Sequence, residues 1–192
     1  PDPFSNNSDG IMTRLRELDA GPKIIYTNSS AEYWRGDSSL LHTEPGARRD
    51  LESEENTRIY HFAGTQHGAG TLPQKRGLGA ESALGRYAYN VVDYSPLLRA
   101  ALVNLEKWIT LGTEPPPGTH AQIETETAVP RATVLDVFDN FPDQVTPDRS
   151  KLWLIRTIDL GPRASAGLGD YPPTPAEPYP CPVSPLGPGV NA

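Results

Sequence analysis

Two short runs of strand-forming residues constrain this chain most: Lys23-Ile24-Ile25-Tyr26-Thr27 and Thr57-Arg58-Ile59-Tyr60-His61-Phe62-Ala63. The first is nearly continuous in apolar side chains, the pattern of a strand buried on both faces of a parallel sheet. Each run passes directly into a small polar loop carrying an ionisable residue. The loop over residues 28–37 holds Glu32 and Asp37, and Gly64-Thr65-Gln66-His67-Gly68 holds His67. A carboxylate after one strand and a histidine after the next are two of the three groups of a catalytic triad. In that chemistry the carboxylate fixes the imidazole tautomer and the imidazole takes a proton from a nucleophilic hydroxyl. The interval between Glu32 and His67 leaves room for one helix.

The flanking sequence fits this arrangement. Ile11, Leu15 and Leu18 repeat with the period of one helix face, with Ser8 or Asp9 placed to cap it and Gly21-Pro22 to end it. Residues 38–56 read as a short helix and a solvated connection, and residues 64–79 as a glycine-rich loop. The clearest helix spans residues 96–111. Ser95 is its expected N-cap, Leu98, Ala101, Leu102, Leu105, Trp108 and Ile109 form its apolar stripe, and Gly112 closes it. Pro115-Pro116-Pro117-Gly118 reads as a stiff linker or wrap. Residues 132–138 and 152–160 read as strands, the second at the edge of a small accessory sheet. The prolines between Pro172 and Pro188 read as extended, irregular chain.

Composition narrows the function classes. A net charge of −7, with both signs interspersed, leaves no basic stripe for phosphates, so nucleic acid is not an expected partner. No apolar run approaches the roughly 20 residues a membrane span needs, and no membrane partner is expected. The single cysteine, Cys181, has no neighbouring Cys or His for a zinc site, and His42, His61 and His120 are scattered, so neither metal nor cofactor is expected. Oligomeric state and compartment stay open. The 36% hydrophobic content, with 21 Pro and 17 Gly in 192 residues, is low for a self-sufficient α/β domain, and the chain begins at Pro1. It reads as a piece of something larger.

The stretches from Pro22 to Trp34, Tyr60 to Gly68 and Val92 to Ala100 resemble the alpha/beta hydrolase domain family of large hydrolase-like proteins. The resemblance runs from about Pro22 to Pro117 and returns more weakly at Leu152–Gly161 and Pro178-Tyr179-Pro180. It implies an α/β fold: the C-terminal part of an alpha/beta-hydrolase-like, mostly parallel sheet with flanking helices. Residues 1–114 would belong to that domain, and residues 115–192 would form a Pro-rich extension with a few short strands. His67 matches the triad histidine. Glu32, nearer the strand end and within the Glu-Tyr-Trp run of the family pattern, is the preferred acid, with Asp37 the alternative. The serine departs from the pattern: no Gly-x-Ser-x-Gly occurs, and in this family the nucleophile precedes the acid. The resemblance therefore implies a fragment of a serine hydrolase, inactive alone, whose whole acts on a small ester-like or related acyl substrate.

Two other readings stand beside this one. Gly36-Asp37-Ser38-Ser39-Leu40 has the order of a GDSL-type esterase motif, with Ser38 as nucleophile and His67 or His42 as base, although Ser38 is also an ordinary helix-start residue. Alternatively the chain is a non-catalytic binding or structural module whose Pro172-Pro173-Thr174-Pro175 run docks as a polyproline helix.

Overall fold

The computed structural model describes residue 10 and residues 12–76, 87–142 and 145–185. In chain order the elements are α1 (Thr13–Glu17), β1 (Ile24–Ser29), α2 (Ser30–Arg35), β2 (Thr57–Phe62), α3 (Ser95–Leu111), α4 (Arg131–Phe138), β3 (Arg156–Asp159) and β4 (Thr174–Pro178). They fall into two compact units, one of Lys23–Ile155 with Pro180–Ala192, the other of Pro1–Pro22 with Arg156–Tyr179.

In the larger unit β1 and β2 pair in parallel, in a register that sets Ile24 against Thr57 and Ser29 against Phe62. Both strands therefore end at the same rim. β1 is less enclosed than its apolar run suggests, since only Asn28 and Ser29 are buried. The outer edge of β2 is covered by the proline segment, which of the two readings, linker or wrap, takes the second. The Thr119 carbonyl accepts from the His61 amide at 2.8 Å, and the Tyr60 hydroxyl donates to the Pro116 carbonyl at 2.7 Å. Gly118 permits this approach, because a Cβ there would stand 2.9 Å from the Ile59 carbonyl oxygen.

α3 ends on a left-handed Gly112, as expected, but its start is different. Tyr94 is the N-cap residue and Ser95 the first helical residue, with the Asp93 carboxylate accepting from the Ser95 amide at 2.9 Å. Of the predicted stripe only Trp108 is buried, under the cations of Lys23 and Arg58 at 4.6 and 4.7 Å from its ring; Leu102 and Ile109 are exposed.

Residues 132–138 are helical, not extended. Pro130 precedes the first turn, and Val134, Leu135 and Phe138 fall on one helical face, packed with Trp34 and Val183. A second small cluster joins Tyr33, Ala121 and Ala128. Tyr33 and Trp34 thus anchor α2 in both apolar clusters.

In the smaller unit the expected strand at 152–160 shrinks to β3, which pairs antiparallel with β4. β4 lies within the proline-rich stretch predicted to be irregular. Its prolines cannot donate to a ladder, and two side chains of β3 add bonds to its carbonyls: Arg156 donates to the Ala176 carbonyl at 3.1 Å and Thr157 to Glu177 at 3.0 Å. The capping candidates Ser8 and Asp9, together with Ile11, lie outside the described residues, as do Gly77–Gly79 and the last prolines of the tail. No helix among the described residues is long and apolar enough to cross a membrane.

Candidate active site

The parallel register brings the two polar segments together. Glu32 stands three residues beyond the end of β1 and His67 five beyond the end of β2, at one rim of the sheet. This is the rim at which open α/β sheets bind ligands.

Glu32 is not in a loop. Ser29-Ser30-Ala31-Glu32 is a capping box that starts α2 immediately after β1. Glu32 Oε2 accepts from the Ser29 amide at 2.7 Å and from the Ser29 hydroxyl, which itself accepts from the Ala31 amide at 3.2 Å. The other oxygen, Oε1, lies 2.5 Å from His67 Nδ1 and 3.5 Å from the Arg35 guanidinium. Burial pushes the Glu32 carboxyl up, but the hydrogen bonds from Ser29 and His67 outweigh it and hold the group below the usual carboxylate range.

Exposure divides the pair: the Glu32 side chain is 14% exposed and the His67 side chain 74%. With Nδ1 committed to the carboxylate, Nε2 is the nitrogen left for a reacting group. A carboxylate oriented by its own helix cap and an outward imidazole can hold one histidine tautomer and stabilise the imidazolium.

Asp37, the alternative acid, stands elsewhere. It is exposed and pairs with Arg35 at 3.0 Å, whereas the ion-pair partner of His67 is Glu32. Ser38 is 1% exposed, packed at the start of the Ser39–Leu41 turn, and its hydroxyl has no hydrogen-bond partner among the described residues. Neither imidazole proposed as its base is engaged with it, since His42 Nε2 bonds the Tyr33 hydroxyl at 3.0 Å. Cys181 is buried, and burial raises its thiol pKa, the reverse of an activated nucleophile.

The three remaining histidines, far apart in sequence, gather beneath α2. Tyr33 packs on His61 with ring centroids 4.4 Å apart, and His42 packs on His120 at 4.5 Å. His42 Nδ1 faces Asp50 Oδ1 at 3.5 Å, and the other Asp50 oxygen accepts from the Ile123 and Glu124 amides. Burial lowers the His42 and His61 pKa values to about 4 each. Among the described residues, no group of three potential ligands has the geometry to hold a metal ion. These histidines support α2 from below.

Several residues of the site escaped the sequence reading. Ser30 donates its amide to the Thr65 carbonyl at 3.1 Å, accepts from the Gly64 amide at 2.9 Å, and sits 3.2 Å from His61 Nε2. Asn90 donates to the Gly64 carbonyl at 2.6 Å, and the Tyr94 hydroxyl donates to the His67 carbonyl. The Ser-x-x-Glu pattern was a signal for α2. For Asn90 and Tyr94 no local signal exists, because their partners lie more than twenty residues away.

The larger unit is thus an α/β structure in which a parallel strand pair carries a joined carboxylate and histidine beyond its ends. The family model described as "Alpha/beta hydrolase domain" matches residues 3–142, and the chain belongs to that family. The match extends beyond Pro22–Pro117 at both ends and stops short of the weaker segments at Leu152–Gly161 and Pro178-Tyr179-Pro180. Neither the curated proteins nor the solved structures searched gave a match.

Proposed function

We propose that the chain contributes the acid and the base of a serine-hydrolase site, with Glu32 orienting His67 toward a serine supplied from beyond these 192 residues. The observation that carries this reading is the 2.5 Å contact between Glu32 Oε1 and the Nδ1 of an otherwise exposed imidazole. The serine hydroxyl attacks the acyl carbonyl while His67 Nε2 takes its proton. The same nitrogen then returns the proton to the departing alcohol, and water completes the cycle by hydrolysing the acyl-enzyme. Glu32 stays ionised throughout and favours the imidazolium that forms between the two transfers. The substrate class is a small ester or related acyl compound.

The test is expression of the parent protein and assay of His67→Ala on short-chain aryl esters. Loss of turnover with the fold retained is expected, and unimpaired turnover would overturn the proposal. The isolated chain is expected to take no covalent label from a fluorophosphonate. Labelling at Ser38 would replace this mechanism with one centred on that residue.

A further inference from the structure

His67 sits at an exposed tip, one residue before Gly68, and several hydrogen bonds tie its loop to the rest of the unit. At its beginning Ser30 binds Gly64 and Thr65, Asn90 binds Gly64, and the Thr65 hydroxyl donates to the Phe62 carbonyl at 2.6 Å. A further one reaches the histidine's own backbone, where the Tyr94 hydroxyl donates to the His67 carbonyl. Tyr94 is well placed to be rigid. It is the N-cap residue of the 17-residue α3, and its carbonyl accepts from the Leu97 and Leu98 amides at 2.9 and 3.2 Å. Its ring packs on Phe62, the last residue of β2, with centroids 5.6 Å apart. A helix start and a strand end therefore fix the phenol from two directions.

We propose that Tyr94 is a positioning residue for the base: by holding the His67 carbonyl it sets where the imidazole leaves the backbone, so that Nδ1 meets Glu32 and Nε2 faces the reacting serine. This rests on the dyad reading above. The physical argument is one of reach. Glu32 is fixed by its capping box and cannot follow a displaced ring, so a loop free to shift by about 1 Å lengthens a hydrogen bond of this kind beyond useful range. Catalytic geometry then requires a restraint at the His67 backbone itself, and the Tyr94 phenol is the side chain that supplies one.

The test is nitrogen NMR of the chain labelled at histidine, where four imidazoles give a resolvable set of ring nitrogens. In the wild type His67 is expected as a single tautomer with the proton on Nδ1. Glu32→Gln is expected to abolish that preference, and an unchanged pattern would remove the dyad on which the inference stands. Tyr94→Phe, which deletes only the hydroxyl, is expected to give a mixed tautomer population at His67 while the other three histidines keep their signals. If Glu32→Gln relaxes the ring and Tyr94→Phe does not, the dyad stands and the role of Tyr94 is refuted. A second variant guards against misfolding: 3-fluorotyrosine at position 94 keeps the hydroxyl and strengthens it as a donor. It is expected to retain the wild-type tautomer and shift the His67 carbonyl carbon resonance, and an unmoved resonance would refute the contact. In the parent enzyme Tyr94→Phe is expected to lower kcat about tenfold with KM nearly unchanged, in line with a modest misplacement of the base.

Discussion

The carboxylate of Glu32 serves two partners at once: Oε2 closes the capping box with Ser29, and Oε1 meets His67 Nδ1 at 2.5 Å. One side chain thus ties the start of a helix to the orientation of a histidine on a different strand. Of the two candidate acids it is Glu32 that meets the imidazole, while Asp37 pairs with Arg35 in solvent. In the proposed hydrolase, Glu32→Gln is expected to lower kcat by on the order of 10⁴, the scale seen when a triad acid becomes an amide. Asp37→Asn is expected to stay within about twofold of wild type, as loss of an exposed ion pair should. The reverse ranking would assign the acid to Asp37.

Ser29 links local stability to the electrostatics of the site. Ser29→Ala removes the acceptor for the Ala31 amide and one donor to Glu32, leaving the backbone donor in place. The expected loss is about 1 kcal/mol of stability, typical of a lost helix cap, read from urea denaturation. The same variant should raise the Glu32 pKa, since a hydrogen bond that favours its charged form is gone. Carboxyl-carbon NMR titration would measure that rise, and a stability loss without any rise would detach the cap from the site.

The elements that carry the site were legible because their signals are local. Ile24-Ile25-Tyr26 and Ile59-Tyr60 are strand formers in short runs, and parallel pairing places whatever follows such strands at one rim. The misreadings came where two local signals compete. Thr133, Val134 and Val137 favour strand, yet the spacing of Val134, Leu135 and Phe138 lets a helix bury them against Trp34 and Val183, and that packing decides. The proline content of Thr174–Pro178 argued for irregular chain, whereas an edge strand tolerates prolines where the missing N–H would face away from the ladder, and side chains of β3 add bonds to its carbonyls. The histidine cluster was illegible because His42, His61 and His120 are united only by tertiary packing.

Gly118 offers a test of the edge that braces β2. An added Cβ would meet the Ile59 carbonyl oxygen at 2.9 Å and its amide nitrogen at 3.0 Å, and backbone cannot step aside as a flexible side chain can. Gly118→Ala is expected to cost about 1–3 kcal/mol, the range for forced overpacking. It should also speed hydrogen exchange at the His61 amide, whose acceptor is the Thr119 carbonyl. Unchanged exchange at His61 would mean that the proline segment does not brace the strand bearing the His67 loop.

The buried histidines predict how the unit responds to acid. The pKa values of His42 and His61 fall from an ordinary 6.5 to about 4, chiefly through burial, with His120 adding to the depression. Asp50 opposes it at His42 and Glu32 at His61, and neither restores the ordinary value. Between these limits the unfolded chain binds protons that the folded chain refuses, so stability must fall as pH drops from 6.5 toward 4 and level off for these groups below that. Glu32 acts in the same direction but lower: its folded pKa is depressed, so its contribution is present above the ordinary carboxylate value and disappears as pH falls through the folded one. Urea midpoints measured from pH 7.5 to 4 should therefore decline most steeply below 6.5. His42→Gln, which removes a titrating group while leaving a polar side chain for Tyr33, should flatten that decline. A slope unaffected by His42→Gln would show that the cluster is already open to water.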